Sequence, residues 1–570
     1  MKFRNVCLLV SFLFVNISIS QVSFNDLATN LGINAPCGNT FLGNGITFFD
    51  YDNDGWDDIT IASAQGYSIR FYKNINGNFV LHSLNIEDDN SQTKQINWVD
   101  IDNDGDNDLF VTSDTSGVKL YENLGNMIME NITDSCGMLS DIFPYYGASW
   151  GDYNNDGFLD VFLSIRSQNI PNILYKNNGD NTFTIVNTEV GLLSNGFMSF
   201  CSAFFDYDND GDQDIYVSND KENYPNLMYR NNGDNTFTEV GALTGTAIGI
   251  DAMSVTIDDI NSDGWLDIFV TNDDTDSVLL LNNTDGTFTD VAISSQVTFN
   301  SLGWGAVFLD ADNDKDLDLY ISGETDGSNP EYLSSAFYIN NNDGTFSLNN
   351  ASVPNDFANS YSNAIGDLDN DGYSEIAVNH INHTNISLWK NISQENNNNW
   401  LKIKLEGTIG NRNGIGSLVE ISINGEKQYR YTLCGEGYLS QNSATEIFGL
   451  GNDLQVDYVK VKWLSGVEDI LYNVSANQQL NITEASTLSL DPYSNTNFLI
   501  FPNPVKNIIY VNSKTIIETI IIYNTLGKEV FKTSTQDYRY NIDLSNFKSG
   551  IYFIKAINSY DNKTVKILKL

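Results

Sequence analysis

Histidine is nearly absent, with three residues in 570, and basic side chains number 29 against 74 acidic ones. So little imidazole leaves few routes to general acid–base or zinc chemistry. His380 and His383 are three apart, a spacing that suits a helix, but they lie in a stretch that reads as strand and loop, which predicts a surface pair and not a metal site. The formal net charge of −45 excludes nucleic acid as a partner, because the chain would repel a phosphate backbone. HExxH and Walker motifs are missing, and Gly435-Glu436-Gly437 does not sit in a Rossmann strand–helix pattern. The five cysteines include Cys7 near the start; Cys37, Cys136, Cys201 and Cys434 lie far apart, which is no disulfide framework. No apolar run approaches the ~18 residues of a membrane-spanning helix. Val6–Val15 is shorter than that, follows Lys2 and Arg4, and precedes the small residues Ser18 and Ser20, a pattern that predicts an export signal over 1–20. Cys7 lies too early to be a lipoprotein cysteine.

Aromatic residues make up 12% and hydrophobic residues 41%, enough to build cores, so the acidity is not that of a disordered tail. It is also unevenly spread. Residues 21–399 hold 58 acidic and 10 basic side chains, whereas residues 499–570 hold 5 acidic and 10 basic. The change of sign marks a domain boundary. For the acidic part, cations are the natural partner.

A repeat of roughly fifty residues dominates that part. FDYDNDGWDDITI (Phe49–Ile61) returns as VDIDNDGDNDLFV (Val99–Val111), GDYNNDGFLDVFL (Gly151–Leu163) and FDYDNDGDQDIYV (Phe205–Val217). DDINSDGWLDIFV (Asp258–Val270), LDADNDKDLDLYI (Leu309–Ile321) and GDLDNDGYSEIAV (Gly366–Val378) complete seven copies, 50 to 57 residues apart. Each copy continues into an alternating apolar run headed by Tyr72, Tyr121, Tyr175, Tyr229, Leu281, Tyr338 or Trp389, usually followed by an Asn-Gly-Asp turn. Alternation of period two with such turns predicts about four short strands per copy, the blade of a β-propeller. The seventh copy lacks its outer strand. Val22–Ala28 (VSFNDLA) matches Thr287–Ala292 (TFTDVA) of copy five, so residues 22–28 are expected to pair onto blade seven and close the ring, removing two open sheet edges. Cys201 takes a repeat position held elsewhere by Gly45, Gly147 and Gly305, which predicts a small core residue.

The shared pattern D-x-[DN]-x-D-G-x-x-[DE] points several oxygens at one centre when the loop curls. In order along the chain its acidic and amide positions are Asp50, Asp52, Asp54, Asp58; Asp100, Asp102, Asp104, Asp108; Asp152, Asn154, Asp156, Asp160; and Asp206, Asp208, Asp210, Asp214. They continue as Asp259, Asn261, Asp263, Asp267; Asp310, Asp312, Asp314, Asp318; and Asp367, Asp369, Asp371, Glu375. Hard oxygen ligands in a flexible loop suit calcium, up to seven ions, better than zinc or copper. An EF-hand would carry Glu at position 12 and flanking helices; here position 12 is apolar (Ile61, Val111, Leu163, Val217) and both flanks read as strands. Acidic β-turns without metal are the bland alternative, but crowded carboxylates repeated at one period repel one another without a counterion. Lys315 replaces the turn glycine of loop six, adding a cation and a left-handed strain of roughly 1–2 kcal/mol.

These loops, with their Tyr-Lys-Asn and Gly-x-Phe companions, resemble FG-GAP/VCBS repeats of integrin-type propellers. The resemblance implies that the metal loops share one propeller face and serve structure. NWLKIKLEG (Asn399–Gly407), NRNGIGSLVEI (Asn411–Ile421), GYLSQNS (Gly437–Ser443), FGLG (Phe448–Gly451) and VKVKWLSG (Val459–Gly466) resemble the ASPIC/UnbV domain, with Trp463-Leu464-Ser465-Gly466 in place of its usual Trp-Pro-Ser-Gly. Propeller plus this module is similar to the cartilage acidic protein-like family. FPNP (Phe501–Pro504), IYNTLGKEV (Ile522–Val530), LSNFKSGIYFIK (Leu544–Lys555) and KILKL (Lys566–Leu570) resemble a type IX secretion C-terminal sorting domain. That likeness implies an immunoglobulin-like sandwich, removed as the protein reaches the surface of a Gram-negative Bacteroidota-type bacterium or the medium. The expected all-β organisation is therefore an export signal at 1–20, a seven-bladed propeller at 21–395, an ASPIC/UnbV β domain at 396–484, a linker at 485–498 and a sorting domain at 499–570.

With no catalytic constellation in view, the leading expectation is a secreted calcium-binding scaffold for adhesion, recognising a glycan or protein through the face opposite the metal loops. There the connections are longer and more varied, and Tyr146, Tyr224 and Tyr332 are the candidate ligand contacts. The alternative is a secreted lyase or hydrolase acting on polysaccharide, since fold does not decide function.

Overall fold

The computed structural model describes residues 22–36, 38–86, 90–273, 276–329, 331–393, 398–487, 498–501, 505–513, 516–525, 527–558 and 562–569. The export signal expected at 1–20, Cys37 and most of the linker expected at 485–498 lie outside the described residues. So do Asn503 and both prolines of the FPNP motif, and Leu570 at the end of KILKL. The chain divides into two compact units, Met1–Thr487 and Leu488–Leu570.

Within the first unit, seven four-stranded antiparallel sheets follow one another along the sequence, one per repeat. The first runs through Ile46–Phe49, Asp58–Ile61, Arg70–Ile75 and Asn78–His82. Its two inner strands are buried throughout, as expected where sheets pack face to face and both sides of a strand meet protein. The innermost strands of the other six sheets are Ile96–Val99, Tyr145–Gly151, Ser199–Phe205, Thr256–Asp258, Gly303–Leu309 and Ser360–Gly366. Neighbouring innermost strands are stitched by side chains: Thr47 Oγ1 donates to Ile96 O at 2.7 Å and Thr256 Oγ1 to Ala306 O at 2.9 Å. The sheets thus form a seven-bladed propeller.

Ring closure follows the expectation from the truncated seventh repeat. Phe24–Asp26 pairs antiparallel with Ser387–Asn391, in the register Phe24↔Asn391 and Asp26↔Trp389, as the outer strand of blade seven. Asp26 also accepts the Leu388 N–H through Oδ1 at 3.1 Å. Phe24 is fully buried and packs on Phe337 of blade six.

Residues 399–483 belong to the same compact unit as the propeller. They form a three-stranded sheet (Thr445–Gly451, Asn399–Glu406, Gln478–Thr483) and a four-stranded one (Glu426–Tyr431, Leu418–Ile423, Gln455–Lys462, Glu468–Ser475) around a shared core of Leu401, Ile403, Val419, Ile421, Phe448, Val459 and Trp463. From this module the segment 434–443 enters the propeller axis. The Trp150 N–H donates to Cys434 O (2.9 Å), the Gly437 N–H to Val255 O (2.7 Å), the Phe48 N–H to Gln441 O (2.9 Å) and the Ser443 N–H to Ile365 O (2.9 Å). Gln441 takes both backbone groups of Trp98 at 2.8 Å each. The inner edge of every blade is an open strand edge, and this plug supplies partners to blades one, two, three, five and seven. The fit needs glycine: a Cβ on Gly45 would stand 2.0 Å from Leu439 O, and one on Gly435 2.1 Å from Ala148 O. Gly435-Glu436-Gly437, unassigned from sequence, is part of this plug. Cys201, as expected, is a buried core residue, and Cys136, Cys201 and Cys434 are all free thiols.

The second unit packs a three-stranded sheet (Phe498–Phe501, Ile508–Ser513, Arg539–Asp543) and a four-stranded one (Glu529–Ser534, Thr519–Asn524, Gly550–Ile557, Asn562–Lys569) about Ile509, Val511, Ile520, Ile522, Ile542 and Ile554. It is the β-sandwich expected of the tail. Among the described residues no helix is long and apolar enough to cross a membrane.

Candidate metal loops and the far face

Each acidic loop joins the first strand of a blade to the second. In loop one the Asp50 carboxylate accepts the Asp54 N–H (3.0 Å) and the Gly55 N–H (3.1 Å), which curls the loop. Asp58, at its end, accepts the Tyr51 N–H (3.3 Å) and the Asn74 N–H (2.7 Å). The same bonds recur with Asp206, Asp214 and Asn231 in loop four, and the asparagine of Tyr-Lys-Asn therefore belongs to the loop. Its amide also ties blades together: Asn74 Nδ2 donates to Leu368 O of blade seven at 2.7 Å.

The intervening position 4, treated as free in the sequence pattern, has a role of its own. Asn53, Asn103, Asn209, Asn313 and Asn370 adopt left-handed φ values of 57° to 62°. Each donates through Nδ2 to the turn residue of the next loop: Asn53 to Gly105 O (3.1 Å), Asn103 to Gly157 O (2.8 Å), Asn209 to Gly264 O (3.0 Å), Asn313 to Gly372 O (3.0 Å) and Asn370 to Gly55 O (3.0 Å). The signal was present in the sequence as an amide repeated at one loop position.

Five loops bring three carboxylates within 4.8 Å: Asp50, Asp52, Asp58; Asp100, Asp102, Asp108; Asp206, Asp208, Asp210; Asp310, Asp312, Asp314; and Asp367, Asp369, Asp371. Loops three and five carry Asn154 and Asn261 at position 3; each amide oxygen accepts the N–H of the loop's fifth residue, Asp156 or Asp263, at 3.1 Å. The positions expected to ligate, including Asp104, Asp160, Asp263, Asp267, Asp318 and Glu375, all lie in these loops. Burial raises the carboxyl pKa of Asp100, Asp152, Asp206 and Asp259 to about 7, of Asp108 to about 8 and of Asp58 to about 9, with neighbouring loop carboxylates adding to each. Asp52 Oδ1, Asp160 Oδ2 and Asp208 Oδ1 are buried without a hydrogen-bond partner. Buried, mutually repelling, orphaned oxygens fit a hard divalent cation.

Protein cations also reach these loops. Lys390 Nζ lies 2.8 Å from Asp369, 2.8 Å from Asp371 and 2.9 Å from Glu375 in loop seven. Lys73, its counterpart in blade one, contacts Asp52 and lies 3.0 Å from Asp54. Glu122, Leu281 and Ile339 take that position in blades two, five and six, so in blade five the counterpart of Tyr72 is Leu280 and not the Leu281 expected from sequence, as the registers Ile59↔Tyr72 and Ile268↔Leu280 have it. The module adds two more, Lys402 Nζ 2.9 Å from Asp367 and Lys404 Nζ 3.0 Å from Asp50, and the backbone N–H of Arg412 donates to Asn103 Oδ1 at 2.7 Å. Lys315 adopts the left-handed φ of the glycine it replaces (93°) and directs its ammonium out of loop six to Asp453 of the module, at 2.6 Å. The metal-loop face is therefore the face on which the module sits.

On the far face the tyrosine expectations divide. Tyr332 is 42% exposed and Tyr224 is half-buried, but Tyr146, expected as an exposed contact, is only 2% exposed. Its ring packs edge-to-face on Phe200 and carries Lys94 Nζ 4.7 Å from its centroid, beside the plug residue Tyr438. The histidine pair is corrected too. His383 is exposed, whereas His380 is buried between Ser360 Oγ and Ser387 Oγ at 2.8 Å each, and burial pushes its pKa down to about 4.

Three family models match the chain. The FG-GAP-like repeat matches at 50–111, 100–163, 152–217, 206–270 and 259–321, ASPIC and UnbV at 407–489, and the secretion system C-terminal sorting domain at 499–569. Human cartilage acidic protein 1 is 23% identical over 499 residues, 78% of this chain and 72% of that protein. β-Agarase A of Zobellia galactanivorans is 32% identical over 121 residues, 21% of each chain. Among solved structures, PorZ, a bacterial surface component of the type IX secretion system of Porphyromonas gingivalis, overlays 92% of this chain and 81% of its own at 11% identity and a TM-score of 0.22.

Proposed function

The chain is an FG-GAP-repeat protein of the cartilage acidic protein-like family, with an ASPIC/UnbV domain and a secretion-system sorting domain, and from that we propose that it is a calcium-stabilised extracellular binding scaffold. The sorting domain assigns it to type IX export and to the cell surface or the medium. On this reading the segment 1–20 is the export signal, and the recognised partner is an extracellular glycan or protein.

One observation carries the choice of face. The module is seated on the metal-loop face and threads its plug along the axis, with Tyr438 donating to Leu42 O at 2.7 Å near the far end. The far face is then the broad propeller surface left for a partner. Calcium, when bound, would supply positive charge to buried carboxylates. The residues that would hold it are the loop positions 1, 3, 5 and 9 named above, and the chain's own contribution is to curl each loop and link it to the next. The loops thereby support the ring while recognition lies elsewhere.

A glycan and protein array probed with and without calcium tests this reading. The Tyr224→Ala/Tyr332→Ala double variant should lose capture with an unchanged melting temperature; equal capture by that variant would remove the far face from consideration. A second reading, a polysaccharide-active enzyme, draws on Asp273 and Glu324, two carboxyl groups pushed up by burial on the far face. Product release from polysaccharide substrates would favour it; saturable binding without products would favour the scaffold.

A further inference from the structure

The seven loops share one pattern but differ in the protein cations that reach them, and the difference follows the seam of the ring. Loop seven is filled from two sides. Lys390, just before Asn391, lies 2.8 Å from Asp369, 2.8 Å from Asp371 and 2.9 Å from Glu375. Lys402 of the module takes the remaining acid, Asp367, at 2.9 Å and donates to Asn370 Oδ1 at 2.7 Å. Loop one is served the same way. Lys73, just before Asn74, contacts Asp52 and lies 3.0 Å from Asp54, and Lys404 of the module lies 3.0 Å from Asp50. These two loops meet across the seam closed by Phe24–Asp26, where Asn370 donates to Gly55 O at 3.0 Å and Asn74 to Leu368 O at 2.7 Å.

Loop two is the opposite case. Glu122 stands just before Asn123, where Lys73 and Lys390 stand in their own blades. The three asparagine N–H groups donate alike to the ninth loop residue: Asn123 to Asp108 at 2.7 Å, Asn74 to Asp58 at 2.7 Å and Asn391 to Glu375 at 3.3 Å. A fifth carboxylate thus joins Asp100, Asp102, Asp104 and Asp108. Among the described residues no lysine or arginine lies within 4.0 Å of those four. Arg412 of the module passes Gly105 but is held by Glu406 at 2.5 Å. The Asn181 amide of blade three donates to Asp102 at 3.4 Å and leaves its Oδ1 buried without a donor, a further oxygen beside the loop.

Charge then ranks the loops. An ammonium about 5 Å from a divalent ion weakens its binding about tenfold even at the dielectric of water. Loops one and seven each set two ammoniums against four carboxylates, whereas loop two sets none against five. Asp52 Oδ1 stays buried without a partner, so loop one is weakened and not closed to an ion. We propose that the ring takes up calcium in a fixed order, loop two first and the seam loops one and seven last, with lysine ammoniums latching the seam while those loops are empty. The inference rests on the loops being calcium sites.

The test is hydrogen exchange of the whole protein, read by mass spectrometry of peptides spanning 100–108 and 367–375, at free calcium stepped from excess chelator to millimolar. Segment 100–108 should reach half its protection at free calcium at least about a hundredfold below that required by 367–375, two ammoniums at about tenfold each. In chelator, 367–375 should be the better protected of the two. Glu122→Lys should raise the 100–108 midpoint at least about tenfold and leave that of 367–375 in place. Glu122→Gln, which removes the charge without adding an ammonium, should fall between wild type and Glu122→Lys. Coincident midpoints in the wild-type protein overturn the order on their own, even if a variant fails to fold, and leave calcium support standing. An unmoved 100–108 midpoint in folded Glu122→Lys does the same. Exchange that ignores calcium in both segments overturns the order together with the calcium reading beneath it.

Discussion

Replacing Tyr438 with alanine should unfasten the module from the propeller. The side chain is fully buried and lies among Phe200, Trp304 and Tyr361, with ring centroids 5.8, 5.0 and 6.4 Å away. Truncating a buried aromatic to alanine costs about 3–5 kcal/mol. The hydrogen bond from its hydroxyl to Leu42 O, 2.7 Å long, contributes about 1 kcal/mol more. Tyr438→Ala is therefore expected to lose about 4–6 kcal/mol and Tyr438→Phe about 1 kcal/mol. Urea unfolding in excess calcium, followed by tryptophan fluorescence, reads both, because Trp304 reports on the plug directly. Limited proteolysis should also cut Tyr438→Ala sooner within 434–443. A Tyr438→Ala chain within about 1 kcal/mol of wild type, or a Tyr438→Phe chain as damaged as the alanine variant, would refute the packed plug.

Chelation should lower the melting temperature sharply, since each ion that binds only the folded chain contributes about 2.7 kcal/mol at one hundred times its Kd; an unchanged melting curve in excess chelator would rule out calcium support. Asp100, Asp152, Asp206 and Asp259 titrate near 7 when folded without metal, above their ordinary range. Their contribution to the chelated chain is thus full at acidic pH and lost as pH rises through about 7. The chelated protein should weaken between about pH 4 and about pH 7 while the loaded one does not, and adding calcium at pH 7 should release protons into a weakly buffered solution. Lys390→Met should raise calcium uptake at loop seven, because the ammonium now among Asp369, Asp371 and Glu375 competes for the same oxygens. Metal analysis and calorimetry that show no gain in ions bound or affinity would count against that competition.

Much of the candidate site could be read along the chain because its determinants are local. An acidic loop of nine residues curls through bonds between its own first carboxylate and its fifth and sixth N–H groups, as Asp50 does with Asp54 and Gly55. Ring closure was legible because a missing strand at one end of the repeats matched a spare one at the other. The acids fourteen residues after the first acid of a loop, Asp114, Asp220, Asp273 and Glu324, were less visible, because only repeat alignment shows their common position. His380 and Tyr146 were misplaced for another reason. Polar and aromatic residues near strand ends usually face water, but here two serine hydroxyls enclose the one and Lys94, Phe200 and Tyr438 the other.

The sequence by itself determined the repeat, the blades, the curled acidic loops and the strand that closes the ring, because all follow from short-range spacing and from backbone groups that must find partners. Tertiary structure alone decided which face is free. That choice depends on the plug at 434–443 meeting innermost strands up to about 400 residues earlier, as Tyr438 meets Leu42, and on lysines of the module reaching loop carboxylates. Open strand edges and buried negative charge demand partners, but nothing in the local pattern says where along the chain those partners lie.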